Sequence, residues 1–371
     1  MSDNSIGKSF RITFFGESHG KCVGVVVNGC PPGLPISRED VQRELDRRKP
    51  GIDRVSTQRA EEDEVEFLSG VFNGRTTGAP LCMLVWNKKA ESKTYEEYRL
   101  KPRPGHADYP ASVKYKNFND YRGGGRFSGR MTAAFVMAGA VAKKLLKTIG
   151  VEVFAHTVEI GGVKSRKKPT IDEIKERTYT NVARCAEPEA ARLMEREILK
   201  AKEEGDSVGG VVECTALNMP VGLGEPILDS LDADIAKMLF DIPAVKGVEF
   251  GAGFNSAHMR GSENNDQYAI EHGRVVTLTN NSGGVLGGLS NGMPIVVRIA
   301  FKPTPSISKK QQTVDLERMT EITLKVKGMH DACVVSRAVP VVEAAVAIVL
   351  ADHAIRSSLI KLGEASERVA V

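Results

Sequence analysis

Three consecutive glycines stand inside an arginine-rich run, Asp120-Tyr121-Arg122-Gly123-Gly124-Gly125-Arg126-Phe127-Ser128-Gly129-Arg130, which leads straight into a strongly apolar stretch. There Met131, Phe135, Ala138, Val141, Ala142, Leu145 and Leu146 recur at helical spacing, and Gly150 supplies a stop, so a helix is predicted over 129–149. Glycines without Cβ let the backbone approach another group closely. A helix N-terminus adds free N–H groups and the positive end of the helix dipole. With Arg126, Ser128 and Arg130 beside it, the segment reads as an anion site; a glycine-rich turn without a ligand is the plainer alternative. No Gly-Lys-Ser/Thr follows, and the glycines are out of register for a dinucleotide fingerprint.

Short β-branched runs bounded by Gly or Pro predict strands over 9–15, 23–28, 79–86, 210–217, 275–279, 295–301 and 320–325. Helices are predicted over 37–48, 187–204, 231–240 and 341–362. The first opens with Ser37 and Asp40 in capping-box spacing. The second reads as charged and exposed. The last is so apolar over 341–351 that this half is expected to be buried. Residues 163–178 and 303–314 are polar and Lys-rich, and read as weakly structured. The order of elements is irregular rather than strictly alternating. It predicts an α+β fold with sheets packed against helices in a single domain, residues 1–371.

The net charge of +4 is too small to imply nucleic acid, and aromatic residues are only 6%. A nucleic-acid reader using its arginines is therefore disfavoured. Placement says more than the total. Arg38, Arg43, Arg47, Arg48, Arg54 and Arg59 form one group, and Arg99, Arg103, Arg122, Arg126 and Arg130 another. Planar guanidinium forks suit phosphate and carboxylate; a solvated charged face is the alternative. The cysteines (Cys22, Cys30, Cys82, Cys185, Cys214, Cys333) form no Cys-x-x-Cys pair and several sit in apolar runs, as small buried hydrophobes do. With no secretory pattern and no apolar stretch judged long enough to span a bilayer, a cytoplasmic protein without membrane contact is expected. Scattered histidines offer no metal-ligand spacing, so no metal is expected.

Other segments carry potential chemistry. Gly16-Glu17-Ser18-His19-Gly20 closes the first strand and presents an imidazole on a tight turn. Ser18 is central there, but His19 carries the local chemistry and no nucleophile elbow is read. Arg103-Pro104-Gly105-His106-Ala107-Asp108 offers a second histidine with a carboxylate able to orient its ring. For both histidines a satisfied loop residue is the bland reading. Asn281-Ser282-Gly283-Gly284-Val285-Leu286-Gly287-Gly288 is a second glycine-rich loop, and Lys302-Pro303-Thr304-Pro305-Ser306 puts a cation and two hydroxyls at a strand end. In Gly328-Met329-His330-Asp331-Ala332-Cys333, Asp331 could serve as a base or cap the next helix.

Taken in order, these segments resemble chorismate synthase over nearly the whole chain. Leu45-Asp46-Arg47-Arg48-Lys49-Pro50-Gly51, Thr57-Gln58-Arg59, Leu68-Ser69-Gly70-Val71-Phe72, Gly222-Leu223-Gly224-Glu225-Pro226 and Lys246-Gly247-Val248-Glu249 add to the likeness. The resemblance implies a β-α-β sandwich with helices between antiparallel sheets, usually assembled as a homotetramer. It implies a carbon–oxygen lyase of the shikimate pathway to aromatic amino acids. The reaction is anti-1,4-elimination of phosphate from 5-enolpyruvylshikimate 3-phosphate to give chorismate. Reduced FMN is required, with no net redox change.

By position, the resemblance gives His19 the protonation of the departing phosphate and His106 the protonation state of the flavin. It gives Asp331 relay of the C6 proton by way of flavin N5. Arg48, Arg54, Arg103 and Arg130 would hold substrate anions; the family also has a proposed NADP contact at the positions of Arg48 and Arg54. FMN would contact Arg126, Phe127, Ser128, Ala244, Gly287, Lys302, Pro303, Thr304, Pro305, Ser306 and Met329. Members that reduce flavin with NADPH tend to be longer, so NADPH is expected to act only through a separate flavin reductase. Two departures stand out: Met329 where the family usually has Arg, and Ala332 where it usually has Pro. A thioether cannot replace a guanidinium, so a flavin-binding relative with reduced or lost lyase activity is the alternative. Pro243 stands where some relatives have Asn, which removes a side-chain contact to FMN.

Overall fold

The computed structural model describes residues 4–49, 63–88, 95–327 and 330–360. Two five-stranded antiparallel sheets enclose a layer of helices. The first sheet has the spatial order Ser5–Ile6, Arg11–Gly16, Cys22–Asn28, Leu81–Trp86, Val65–Ser69. Alternation sends Ile12, Val23, Val25, Val27, Met83 and Val85 to the buried face. The second sheet has the order Val245–Phe250, Ile295–Phe301, Gly210–Leu217, Glu152–Ile160, Val163–Lys164. It buries Val212, Cys214, Ala216, Ile295, Val297 and Ile299.

Helices Thr132–Lys147 and Val335–Arg356 lie side by side between the sheets, the first against the first sheet and the second against the other. Phe14 stacks on Phe135 at 4.4 Å between ring centroids. Small residues let the helix backbones approach: a Cβ added at Gly139 would lie 2.2 Å from the Cβ of Ala344. Helices Arg38–Arg48 and Leu231–Phe240 complete the layer. Buried Asp352 fastens the N-terminal segment to the C-terminal helix, accepting from the backbone N–H groups of Lys8, Ser9 and Phe10 at 2.9, 2.6 and 2.7 Å. One contiguous apolar core runs through both sheets and the helices between them.

This is the predicted α+β sandwich, with several local corrections. The predicted capping box of Ser37 and Asp40 is present. Helix Pro188–Glu203 is not simply exposed: Ala190, Ala191, Met194, Ile198 and Ala201 are buried along one face. The last helix starts at Val335, so Pro340 lies within it rather than before it. That helix is long and apolar enough to cross a membrane by composition, contrary to the sequence reading, but its apolar stretch is buried in the protein. Residues 163–178 hold the strand Val163–Lys164 and the capped helix Ile171–Arg177, and residues 303–314 run into the hairpin Lys310–Asp315 with Thr320–Lys325. All six cysteines are free, and burial pushes the thiols of Cys30 and Cys333 up to about 12.

Candidate active site

A cavity of about 730 Å³ opens where the ends of both sheets meet the helix layer. It is bounded by the turn after strand Arg11–Gly16, the end of helix Arg38–Arg48, the 103–107 loop and the glycine run. The N-terminal ends of the two central helices and residues 240–246 and 301–306 complete it. Of the candidate catalytic side chains, His19, His106 and Asp331 all line it. So do Arg48, Arg103 and Arg130, and Arg126, Phe127, Ser128, Ala244, Lys302, Thr304, Pro305 and Ser306. Pro303 and Gly287 do not. Gly287 and Gly288, at φ 59° and 81°, form the turn between strands Val285–Leu286 and Leu289–Asn291, and that turn explains these glycines. Arg54 and Met329 lie outside the described residues.

The glycine run brings the two histidines to one place. Gly123, Gly124 and Gly125 have φ of 60°, 81° and 51°, which side chains rarely tolerate. A Cβ on Gly123 would lie 2.5 Å from Nε2 of His19, and one on Gly124 3.2 Å from Nε2 of His106. The backbone N–H of Ser18 donates to the carbonyl of Gly125 at 3.2 Å, tying the His19 turn to the run. Ser128 caps the following turn, accepting from the N–H of Arg130 at 3.2 Å. The sequence reading put a helix here from residue 129; the α-helix begins at Thr132 after a single 3₁₀ turn.

Arg48 and Arg130 share one carboxylate. Arg48 Nη2 donates to Asp63 Oδ2 at 2.6 Å, and Arg130 Nη1 donates to Asp63 Oδ1. Asp63 is 1% exposed. Burial opposes its ionisation, but the charges of Arg48 and Arg130 outweigh this and hold it below the usual carboxylate range. Among the described residues, the buried Nε of Arg48 has no hydrogen-bond acceptor, which leaves this guanidinium a donor to offer.

Arg103 is differently placed. Its Nε and Nη2 donate to the two oxygens of Asp108, each at 2.8 Å, and Nη1 donates to Ser306 Oγ at 3.2 Å. The guanidinium also lies over the rings of Tyr95 and Tyr98, at 5.7 and 5.2 Å. Asp108 Oδ1 is 2.7 Å from Nδ1 of His106. Burial works against the Asp108 anion, but hydrogen bonds from Arg103 and His106 prevail and hold its carboxyl well below the usual range. His106 thus has Nδ1 committed to Asp108 and Nε2 towards Gly124.

The far wall is cationic. Lys302 donates to the carbonyl of Gly105 at 2.5 Å, and burial together with neighbouring Lys246 lowers its pKa. Ala244 beside them adopts φ 75°, unusual for a side chain other than Gly. Asp331, in the loop before helix Val335–Arg356, pairs with Arg337 Nη1 in its first turn at 2.6 Å. Among the described residues, eight lysines and arginines but three carboxylates line the cavity, which selects anionic ligands. Asp63, Lys246 and Arg337 were not singled out from sequence as site residues. Asp63 is a lone acid among several, and no spacing marks it. Among the described residues no group of His, Cys, Asp or Glu could hold a metal ion.

The family profile described as chorismate synthase matches residues 10–355, which takes in every segment lining this cavity. The chain belongs to the chorismate synthase family. Chorismate synthase of Dehalococcoides mccartyi is 54% identical over 357 residues, covering 96% of this chain and 98% of that protein. Chorismate synthase of Korarchaeum cryptofilum is also 54% identical, covering 96% and 99%. A crystal structure of a chorismate synthase superposes with a TM-score of 0.75 at 33% identity, covering 95% of this chain and 93% of that one. Membership of the chorismate synthase family makes this chain a lyase, and the alternative of a relative without that activity is not favoured.

Proposed function

We propose that this chain converts 5-enolpyruvylshikimate 3-phosphate to chorismate by anti-1,4-elimination of phosphate, using reduced FMN. The observation that carries the reading is the meeting of His19, His106 and the Arg48–Asp63–Arg130 cluster around one cation-rich cavity. The substrate has a phosphate and two carboxylates, and FMN has a further phosphate. Eight cations among the described lining residues suit four such groups. Its volume lies in the upper part of the roughly 300–1,000 Å³ usual for ligand sites, room for two ligands stacked together.

FMN fits the wall formed by Arg126, Phe127, Ser128, Ala244, Lys302, Thr304, Pro305 and Ser306. Lys302, its pKa lowered by burial and Lys246, gains by receiving a phosphate. What reduced FMN supplies when bound is electron density that returns as phosphate leaves. The chain supplies the rest. Arg48 and Arg130, held by Asp63, bind and orient substrate anions. His19 protonates the leaving phosphate from its ring. His106, oriented by Asp108, keeps Nε2 towards the flavin side. Asp331, oriented by Arg337, takes up the C6 proton. Arg337 also provides a cation to the cavity.

Anionic groups developing charge in such a site are stabilised by donors already in place. The same reading makes the chain a single cytoplasmic domain, supported by its contiguous core and free thiols. It further makes it a homotetramer supplied with reduced flavin by another protein. Anaerobic chorismate formation with purified protein and chemically reduced FMN tests the activity, beside a Met329→Arg variant. Turnover by the natural protein is expected; FMN binding with no turnover, and activity only in the arginine variant, would sink the reading. NADPH alone is expected to give no aerobic turnover.

A further inference from the structure

Asn87 ends the strand Leu81–Trp86, and nothing in its sequence context marks it. Its Nδ2 donates to the carbonyls of Glu17 and Gly20, at 3.0 and 2.9 Å. Its own N–H donates to the carbonyl of Lys21 at 3.0 Å. Its Oδ1 accepts from Nε of Arg130 at 3.0 Å. Glu17 to Gly20 is the turn that carries His19, closed by a bond from the Gly20 N–H to the Glu17 carbonyl at 3.1 Å. Arg130 in turn shares Asp63 with Arg48.

We infer that Asn87 is a positioning residue that locks the His19 turn to the Arg130–Asp63–Arg48 cluster, holding the proton donor and the anion-binding guanidiniums in one register. Only a side-chain amide meets these demands. It gives two N–H donors to two carbonyls and one acceptor to a guanidinium, whereas Asp has no donor when ionised and Lys or Arg no acceptor. The amide is also neutral. Arg130 already shares one carboxylate, and a second would cancel the charge it offers to an anion.

The inference rests on the proposed roles of His19 and Arg130, so its test does not depend on turnover. Asn87→Ala and the isosteric Asn87→Asp are compared with the natural protein in two measurements. One is the NMR titration of the His19 ring in the ligand-free protein, and the other is affinity for inorganic phosphate by calorimetry. Both variants are expected to shift the His19 titration midpoint and to weaken phosphate binding about tenfold, the worth of one good hydrogen bond to a charged group. Asn87→Asp should weaken phosphate more than Asn87→Ala. Should the alanine variant not fold, the isosteric one decides alone. A folded variant in which either measurement stays as in the natural protein overturns the inference, because a coupling residue must move both. If both move while the natural protein makes no chorismate, the lyase reading fails and the positioning role stands.

Discussion

Asp63 and Asp108 are buried carboxylates that each face two cationic or proton-donating partners, and their ionisation underlies the site. Both are held below the usual range. A carboxylate depressed in the native state adds stability that is present above its unfolded pKa, about 3.9, and is lost as pH falls through the native value. Asp108→Asn removes one partner of a buried pair and is expected to cost about 3 kcal/mol at pH 7. The gap to the natural protein should narrow as pH drops below about 4. Urea unfolding at pH 7 and pH 3 checks this; an equal gap at both would mean that Asp108 is not ionised in the native state. The same pair adds a contact to Arg103 that the sequence did not show. Its Nε, Nη1 and Nη2 already donate to Asp108 and Ser306, so beside the substrate contact expected of it, this guanidinium holds Asp108, the partner of His106, in place. Sequence offered candidate residues that the fold brings to one cavity, because Arg, His and Asp are recognisable wherever they stand. It could not identify which guanidinium is taken by an internal carboxylate. Arg122, for example, spends its donors on Asp120 at 2.8 and 2.7 Å.

The helix layer depends on small side chains where Thr132–Lys147 crosses Val335–Arg356. Gly139→Val would force a branched side chain into the space held by Ala344, and overpacking of this kind costs about 1–3 kcal/mol or more. A lowered unfolding midpoint in denaturant is expected, with loss of activity following, since both helix N-termini reach the cavity. An unchanged midpoint would show that the helices can part without cost. Strands such as Gly210–Leu217 and Ile295–Phe301 were legible to the residue, because β-branched alternation and flanking Gly or Pro act locally. Glu152–Ile160 was missed. His156, Thr157 and Glu159 break its pattern, and it is buried on both faces. Lys310–Asp315 was missed too: it is a polar hairpin strand whose Thr313 hydroxyl donates to the carbonyl of Pro102 at 2.5 Å. The last helix was predicted from residue 341 and begins at Val335, with Pro340 inside it, because burial of its apolar residues outweighs one lost backbone bond.

At the scale of the molecule, one hairpin carries several exposed apolar side chains. The hairpin Tyr268–Glu271 with Arg274–Thr277 exposes Tyr268, Ile270 and Val275 at 67, 72 and 61%, and Leu278 and Phe254 are exposed as well. Patches of this kind mark interaction surfaces. Under the tetramer proposed above, light scattering should give four times the chain mass, and Ile270→Lys with Val275→Glu should lower it. A natural protein that stays monomeric at micromolar concentration would refute the assembly.

Sequence by itself determined the α+β class, the family, and the chemical types of the candidate site residues. These depend on local spacing and on motifs carried along the chain in order. Only the tertiary structure decided that His19 and His106 meet across Gly123 and Gly124, that Arg48 and Arg130 share Asp63, and that Asn87 joins the two. Those relations link residues tens of positions apart. They are set by packing of the sheets on the helix layer and by the burial that makes every unpaired donor or charge costly.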